Sequence, residues 1–413
     1  MAAEQQIIRE VSWRDLFPWL LLFRTVGVAT SFSVILLGTA AAVLTPLGWK
    51  LAHTAFLGSD VSAVASPTQG SEPEEGLESR TSTSAASTNL RVSIPGPTWM
   101  RGLTDGGAGP GLVYQRMIAP GLECFSLDSI SLMRWAYLVF GIFWNVVIAA
   151  VFGRAITRLG IMRLGREESV GVSASLRFAI KRFRAFMLAP LFPLIGVGLL
   201  SLPCALLGFV MRTDFGAAVG GLFWFLVLIA GLGMAILLIG LALGWPLMWG
   251  TISAEDDGDE FAAMQHSFSY TFQRPLRYAA YVVLIWLLGT VAALVVGLVG
   301  QLVVHCSRWA VSIGTGSARW TEMNASLLDP AEAAGGSMLR FAGMLLSFWE
   351  QMIGRAVEGF EYGFFWIAAA AVYLVLRYDV DRTEMDEVYC EGDQTPQMLP
   401  PIPEVQPAAT KSE

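Results

Sequence analysis

The sequence has little charge, few histidines and no paired cysteine motif. Of its 413 residues, 15% are charged and three are histidine, whereas soluble domains carry about 25% charged residues. Three scattered histidines do not favour a His-rich metal site. No CxxC pair occurs, which argues against a zinc ribbon or a thioredoxin-like motif. With 54% hydrophobic residues, the composition indicates that much of the chain contacts lipid rather than water.

Catalytic and ligand-binding motifs are also missing. The sequence contains no nucleotide-binding glycine loop, no HExxH pair and no GxSxG elbow. The acidic run at 255–260 lacks EF-hand spacing, so we interpret it as a solvated helix entry rather than a calcium site. The net charge of -7 gives no sign of nucleic-acid binding. We therefore expect no catalytic residue, no metal and no cofactor, and an enzyme is not predicted.

Apolar runs predict an all-α fold: a polytopic transmembrane helical bundle of about six spans with interfacial elbow helices. A helix needs roughly 20 apolar residues to cross about 30 Å of hydrocarbon. Five runs contain no Asp, Glu, Lys or Arg, at 26–47, 136–152, 188–210, 219–249 and 279–304. A sixth, 363–376, reaches spanning length only by extending back to 357, which brings two glutamates to headgroup depth. The charge-free runs argue against a proton-driven pump but leave a facilitative path open.

Lys and Arg residues set the expected orientation. The connector between spans two and three is rich in them, whereas the connector between spans three and four has Arg212 alone. By the positive-inside rule, the first connector faces the cytoplasm. Six spans then place both termini in the cytoplasm. The first run follows a long charged lead-in and exceeds a signal-peptide core in length, so we predict an uncleaved anchor.

Composition divides the chain into five regions. They are an N-terminal amphipathic segment with the first span (1–48), an outer and largely disordered loop (49–135), a four-span core with two cytoplasmic elbow helices (136–304), an outer amphipathic helix with the sixth span (305–377), and a disordered cytoplasmic tail (378–413). The loop and tail are rich in polar and small residues, which bury too little apolar surface to offset their ordering entropy. Cys124 and Cys306 share the expected outer side, where a disulfide is permitted, but the sequence does not show whether they are within reach.

Two cytoplasmic connectors, 167–186 and 259–278, resemble each other and align without gaps at an offset of 92. Each begins with acidic residues and ends with basic ones, as suits a helix dipole. We predict two elbow helices that lie on the inner leaflet; the competing placement makes them upright extensions of spans three and five. Duplication of an elbow-plus-two-spans unit and convergence both explain the similarity.

The elbow helices carry the candidate lipid contacts. Basic residues near an anionic leaflet are attracted to its headgroups, and here they are Lys181, Arg182, Arg184, Arg274 and Arg277. The aromatic rings predicted to insert at the membrane boundary are those of Phe178, Phe183, Tyr270 and Phe272.

Apolar residues at steps of three and four predict an amphipathic helix over 337–360. It lies on the outer leaflet, caps the bundle or continues into span six; the sequence leaves all three open. Gly240 and Gly244 form a small-xxx-small pair in span four and predict close helix packing. The candidate polar bundle or gating residues are Asn145, Gln301, Glu350, Arg355, Glu358 and Glu361.

The segments EVSWRDLFPWLLLFRTVGVA (10–29) and HSFSYTFQRPLRYAAY (266–281) resemble uncharacterised multi-pass bacterial inner-membrane proteins. The similarity covers most of the chain outside the loop and tail. It implies a bacterial inner membrane and no known activity, so it transfers no functional residue. Two functions remain. The first is a non-enzymatic membrane component that organises lipid or partner proteins, including copies of itself; the alternative is a facilitative transporter or channel for an unknown substrate.

Overall fold

A computed structural model of the protein describes residues 17–56, 109–124, 131–255, 259–316, 318–321, 323 and 337–390. Regular secondary structure in these ranges is helical, with no strand. The main helices are α1 (Leu21–Ala29), α2 (Phe32–Phe56), α3 (Pro110–Cys124), α4 (Leu132–Arg166), α5 (Val172–Lys181), α6 (Phe183–Leu188), α7 (Leu191–Val210), α8 (Asp214–Leu222), α9 (Trp224–Ala254), α10 (Glu260–Gln273), α11 (Pro275–Thr315) and α12 (Ser337–Asp381).

Six segments are long and apolar enough to cross a membrane: α2, α4, α6 with α7, α9, α11 and α12. The all-α bundle of about six spans that the sequence predicts is therefore confirmed. The first span begins at Phe32 rather than at residue 26, because α1 is a separate helix that ends at Ala29. At the break, Thr30 Oγ1 donates to Gly27 O at 3.0 Å, and such side-chain bonds compete with the helix ladder.

The spans alternate in direction around α12. Helix α12 is antiparallel to α2 and α11 and parallel to α4 and α9. The C-terminal ends of α4, α9 and α12 therefore meet at one end of the bundle, which we call the basic end; the opposite end is the far end. Six arginines on several elements mark the basic end: Arg154, Arg158, Arg166, Arg182, Arg274 and Arg277.

Helix α12 is the centre of the bundle. Of its most apolar stretch, 94% is buried inside the protein, against 6% of that of α9. In the sequence, this span has the shortest uncharged apolar run of the six. The structure explains the run differently: small residues such as Ala370, Gly359 and Gly363 let α2 and α4 approach closely, so this stretch packs against protein rather than lipid.

The predicted amphipathic helix over 337–360 is the first half of α12. It continues without a break into span six, so the placements on the outer leaflet and as a separate cap are both wrong. At 45 residues, α12 is about 68 Å long, roughly twice the hydrocarbon thickness. One bidentate ion pair, between Arg308 of α11 and Glu350, joins the two longest helices toward the far end.

Large apolar side chains cover the outside of α7, the first half of α9 and α11. Leu199, Leu206 and Leu232 are among those more than 60% exposed. Soluble monomers rarely expose contiguous apolar surface of this extent. These helices therefore form the surface that faces lipid.

The elbows form separate helices, α5 and α10, at the predicted positions. Each ends at a matched arginine with non-helical backbone, Arg182 and Arg274, before the next helix begins. Neither elbow is therefore a straight continuation of its span, and the placement of the elbows relative to the leaflet stays a prediction. Both elbows bury the same face, at positions related by the offset of 92. The matched buried residues are Ser175, Phe178 and Ala179 in α5 and Ser267, Tyr270 and Thr271 in α10; Ala263 of α10 is also buried, but its counterpart Gly171 is exposed.

The buried face of each elbow contacts protein. Helix α10 folds back along α9, where Phe268 packs on Gly240 and Ser267 on Gly244; the predicted close packing at these glycines is confirmed, with α10 as the partner. The membrane-boundary position predicted for Phe178 and Tyr270 is wrong. Their rings are 4% and 1% exposed, because they stack under arginines and bond to α12, respectively.

Helix α3 packs against α4, α11 and α12, although 49–135 was predicted to be an outer loop. Its first turn contacts α11 and α12, and its C-terminal end reaches α4 through the Glu123–Arg134 ion pair. Helix α3 therefore begins at a point between α11 and α12 and runs to the far end, as a re-entrant helix. Non-spanning backbone at membrane depth is tolerated where protein surrounds it. The polar middle of the predicted loop, 66–89, lies outside the described residues.

Residues 378–390, which the sequence analysis assigned to the tail, belong to the folded bundle. Arg158 and Arg166 donate to the carbonyls of Tyr389 and Val388, and the Tyr389 N–H donates to Ala254 O. The tail beyond 390 lies outside the described residues. The Cys124 and Cys306 thiols are both free, so the structure contains no disulfide between them.

Candidate functional site

A proline in α9 frees a backbone carbonyl within the bundle. Pro246 has no N–H, so the carbonyl of Ala242, four residues earlier, loses its helical donor. Tyr114 Oη of α3 donates to Ala242 O at 2.7 Å and takes the place of that donor. An unpaired carbonyl in an apolar setting costs about 1–3 kcal/mol. The proline site of α9 is therefore stabilised by α3.

The next two carbonyls of α9 also accept side-chain hydroxyls. Tyr278 Oη of α11 donates to Leu243 O at 2.7 Å, and Ser267 Oγ of α10 donates to Gly244 O at 2.6 Å. Three hydroxyls from three helices thus bond three successive carbonyls. These bonds fix α3, α10 and α11 around the Pro246 region of α9.

An apolar groove of about 470 Å³ lies between these helices and α12. Its walls are mainly aliphatic and aromatic and include Leu247, Val282, Trp286, Phe365 and Val372. The hydroxyls in the lining are already used, since Tyr114, Tyr278 and Thr271 all donate to backbone carbonyls. A ligand that offers hydrogen bonds would find few partners along these walls, so the groove suits a hydrocarbon chain.

The groove opens sideways along α11. Val282, Val283 and Trp286 line it and are 39%, 56% and 49% exposed, on the helix that presents the lipid-facing surface. A chain can therefore enter from the bilayer without crossing a polar region.

Two carboxylates on α12 bracket the groove. Glu361 accepts the Gly109 N–H at 3.3 Å, at the start of α3. Asp379, near the basic end, accepts Tyr281 Oη at 2.8 Å and lies 3.4 Å from Arg277 Nη1. The two are 18 residues apart on one helix (379 − 361), or about 27 Å. This distance is close to the full hydrocarbon thickness of about 30 Å, and the α12 residues that line the groove lie between the two carboxylates.

The backbone at position 109 requires a glycine. Its φ is +132°, and a Cβ would lie 3.1 Å from Thr290 Oγ1. Only glycine combines this backbone conformation with so close an approach. The position lets the Gly109 N–H, directly before α3, reach Glu361, where the positive end of the helix dipole favours a carboxylate.

The predicted polar bundle or gating residues do not form one site. Asn145 accepts Trp49 Nε1 at 3.2 Å between α2 and α4, and Glu350 pairs with Arg308. Arg355 bonds Glu358 at 2.7 Å on α12, and Gln301 is half-buried on α11. None of these residues lines the groove, but Glu361 bonds to Gly109, two residues before Gly111 of the groove wall.

The predicted lipid-contacting cations divide into two groups. Arg182 donates to Ile252 O and Glu255 O at 3.3 and 2.9 Å and so caps the C-terminal end of α9. Lys181 and Arg184 are exposed on α5 and α6. Arg274 and Arg277 stand at the basic end of the groove, beside the lining residues Pro275 and Tyr278.

Sequence reasoning missed the buried arginines of α4. Arg154 and Arg158 counted as loop charges, yet they are 0% and 4% exposed. The Arg154 guanidinium lies 3.6 Å from the Phe186 ring centroid and donates to Ala179 O. Arg158 donates to Ser253 O at 2.6 Å. Their spacing of four residues, which puts both on one helix face, was the available signal.

The polar contacts of α10 also reach α12. Tyr270 Oη donates to Asp381. Burial, followed by the neighbouring Tyr373 and Asp381, raises the pKa of Tyr270 above its ordinary value, so the hydroxyl stays a donor at physiological pH. This bond fixes the second elbow, and with it one wall of the groove.

Comparison of the chain with protein-family models, with curated proteins and with solved structures found no match. The resemblance to bacterial inner-membrane proteins therefore stays a prediction. The chemistry of the site is what bears on function: an apolar groove open to lipid, with basic residues at one end.

Proposed function

We propose that this protein is a non-enzymatic integral membrane protein that binds and organises membrane lipid through the groove between α3, α9, α11 and α12. The observation that carries the proposal is the apolar cavity of about 470 Å³ that opens along the lipid-facing helix α11. Pockets for single small ligands span about 300–1,000 Å³. The groove is therefore sized for one acyl chain.

We infer a bacterial inner membrane with the basic end in the cytoplasm. The arginine concentration at that end supports this orientation by the positive-inside rule. Both α1 and the end of α12 lie there, which supports two cytoplasmic termini. A protein partner or a second copy on the exposed apolar helices is compatible with the same arrangement.

A matched pair of substitutions on α11 tests groove occupancy. Val282→Trp places an indole in the groove from an exposed wall position, so the fold tolerates it. Val291→Trp makes the same change at a residue that is 59% exposed and outside the lining. Native mass spectrometry of protein in mild detergent should show one fewer retained lipid for Val282→Trp and no change for Val291→Trp. Equal lipid retention by both variants would contradict the proposal.

The alternative, a facilitative transporter or channel, has one observation in its favour. A re-entrant half-helix begins at an intramembrane carboxylate, the Gly109–Glu361 contact, and transporters often place substrate sites at such helix ends. Proteoliposome flux assays with a panel of small solutes separate the two functions. Transport requires a flux that Glu361→Gln reduces; lipid binding requires none.

A further inference from the structure

The groove walls alone cannot select a lipid. Lipid tails are as apolar as leucine, so a chain gains little by moving from the bilayer into an apolar groove. Preference for one lipid must come from polar contacts where the chain meets its headgroup. The inference below rests on the proposed lipid-binding function and concerns that end of the same groove.

Two arginines with available donors stand at the basic end of the groove. Arg274 is half-buried, and none of the ion pairs among the described residues involves it. Arg277 is 54% exposed, and its ion pair with Asp379, the one it forms within the described part of the chain, is long at 3.4 Å. Asp379 is 8% exposed and already accepts a bond from Tyr281. At this end of the groove, the two guanidinium groups therefore carry more N–H donors than the neighbouring carboxylate accepts.

The first elbow lacks this arrangement. Arg182, which matches Arg274 at the offset of 92, donates to two α9 carbonyls and stacks on Phe178 and Tyr389. The matched arginines thus differ: Arg182 caps a helix end, whereas Arg274 directly precedes Pro275, a residue of the groove wall. Among the described residues, the basic residues of the second elbow are the ones that adjoin this groove.

We propose that the groove selects a phospholipid with an anionic headgroup, its phosphate bound by Arg274 and Arg277 and one acyl chain lying along Leu247, Val282 and Val372. Guanidinium groups bind phosphate oxygens through charge-assisted hydrogen bonds. Tyr278 and Pro275 connect the two parts of this site, since they line the groove and neighbour both arginines. The second chain of the lipid stays in the bilayer through the opening along α11.

Competition between chain-matched lipids tests the proposal. Wild-type protein is reconstituted in nanodiscs with equal phosphatidylglycerol and phosphatidylcholine, released into mild detergent, and the retained lipid is counted by native mass spectrometry. Because one basic residue near an anionic surface contributes about fivefold in affinity, we expect clear enrichment of phosphatidylglycerol. The Arg274→Gln/Arg277→Gln variant should still retain one lipid but lose the enrichment, and Arg274→Lys/Arg277→Lys should restore most of it.

The charge-matched control is Lys181→Gln/Arg184→Gln, which removes two exposed cations from the first elbow. It should keep the enrichment; if it loses as much as Arg274→Gln/Arg277→Gln, the attraction is general and the proposed site is overturned. Retention of lipid in excess inorganic phosphate is expected, and its displacement would identify a phosphate site instead of a lipid site. Failure of groove occupancy shows separately, as unchanged lipid retention by Val282→Trp.

Discussion

At the scale of single residues, close approach and hydrogen-bond replacement hold this bundle together. Gly38 of α2 faces Gly359 of α12 so closely that a Cβ at Gly38 would overlap the Gly359 carbonyl oxygen. Tyr114 supplies the donor that Pro246 removes from α9. In both places a single side chain, or its absence, determines how two helices meet.

Substitution at Gly38 should therefore be costly. Gly38→Ala forces α2 and α12 apart, and because the obstructing atom belongs to the backbone we expect destabilisation of about 1–3 kcal/mol or more. Gly27→Ala is the control, since nothing lies within 4 Å of that position; it should stabilise α1 by about 0.5–1 kcal/mol. Thermal unfolding in detergent measures both. Equal melting temperatures for the two variants would refute the close contact.

The role of Tyr114 can be isolated with a double-mutant cycle. Tyr114→Phe should cost about 1–3 kcal/mol, because it leaves Ala242 O without a donor. In a Pro246→Ala background the new N–H can bond that carbonyl, so the same change should cost clearly less. A cost that is identical in both backgrounds would show that the hydroxyl does not compensate for the proline.

At the scale of helices, the two elbows share a pattern and differ in use. Both bury the same face and end at a matched arginine. The acid-to-base polarity and the offset of 92 identified them from the sequence, because these are local features. The sequence did not distinguish Arg182 from Arg274, since the carbonyls that Arg182 caps lie 70 or more residues away.

The matched arginines should respond differently to neutralisation. Arg182→Gln removes charge-assisted bonds to the end of α9, and we expect a loss of about 1.5–3 kcal/mol in unfolding free energy. Arg274→Gln should leave stability within about 0.5 kcal/mol, because that side chain has no ion-pair partner among the described residues. Chemical unfolding of both variants measures the difference, and a larger loss for Arg274→Gln would reverse the assignment.

At the scale of the whole molecule, six alternating spans bring both ends of the described bundle to the basic end. The inferred orientation places that end in the cytoplasm. On a cysteine-free background, an impermeant thiol reagent added to intact cells should label a cysteine at Ser84 and not one at Ser412. Labelling of position 412 alone would invert the orientation while leaving the fold unchanged.

The sequence by itself determined the class of the protein and most of its helices. Hydropathy and charge identify segments that partition into lipid, and a repeated acid–aromatic–base pattern identifies the elbows, because each depends on neighbours along the chain. Hydropathy does not report what surrounds a helix, however. The alanine-rich stretch of α12 has the composition of a lipid-facing span, yet it is the most enclosed part of the bundle.

Only the tertiary structure decided where the candidate site lies. The contact between Gly109 and Glu361 joins residues 252 apart, and the bond from Tyr114 to Ala242 joins residues 128 apart. Helical spacing along the sequence relates residues three or four apart, so it does not predict pairs at such distances. The re-entrant helix α3, the burial of Arg154 and the groove itself depend on which surfaces meet, and that is settled by packing around α12 rather than by the preference of any one segment for lipid or water.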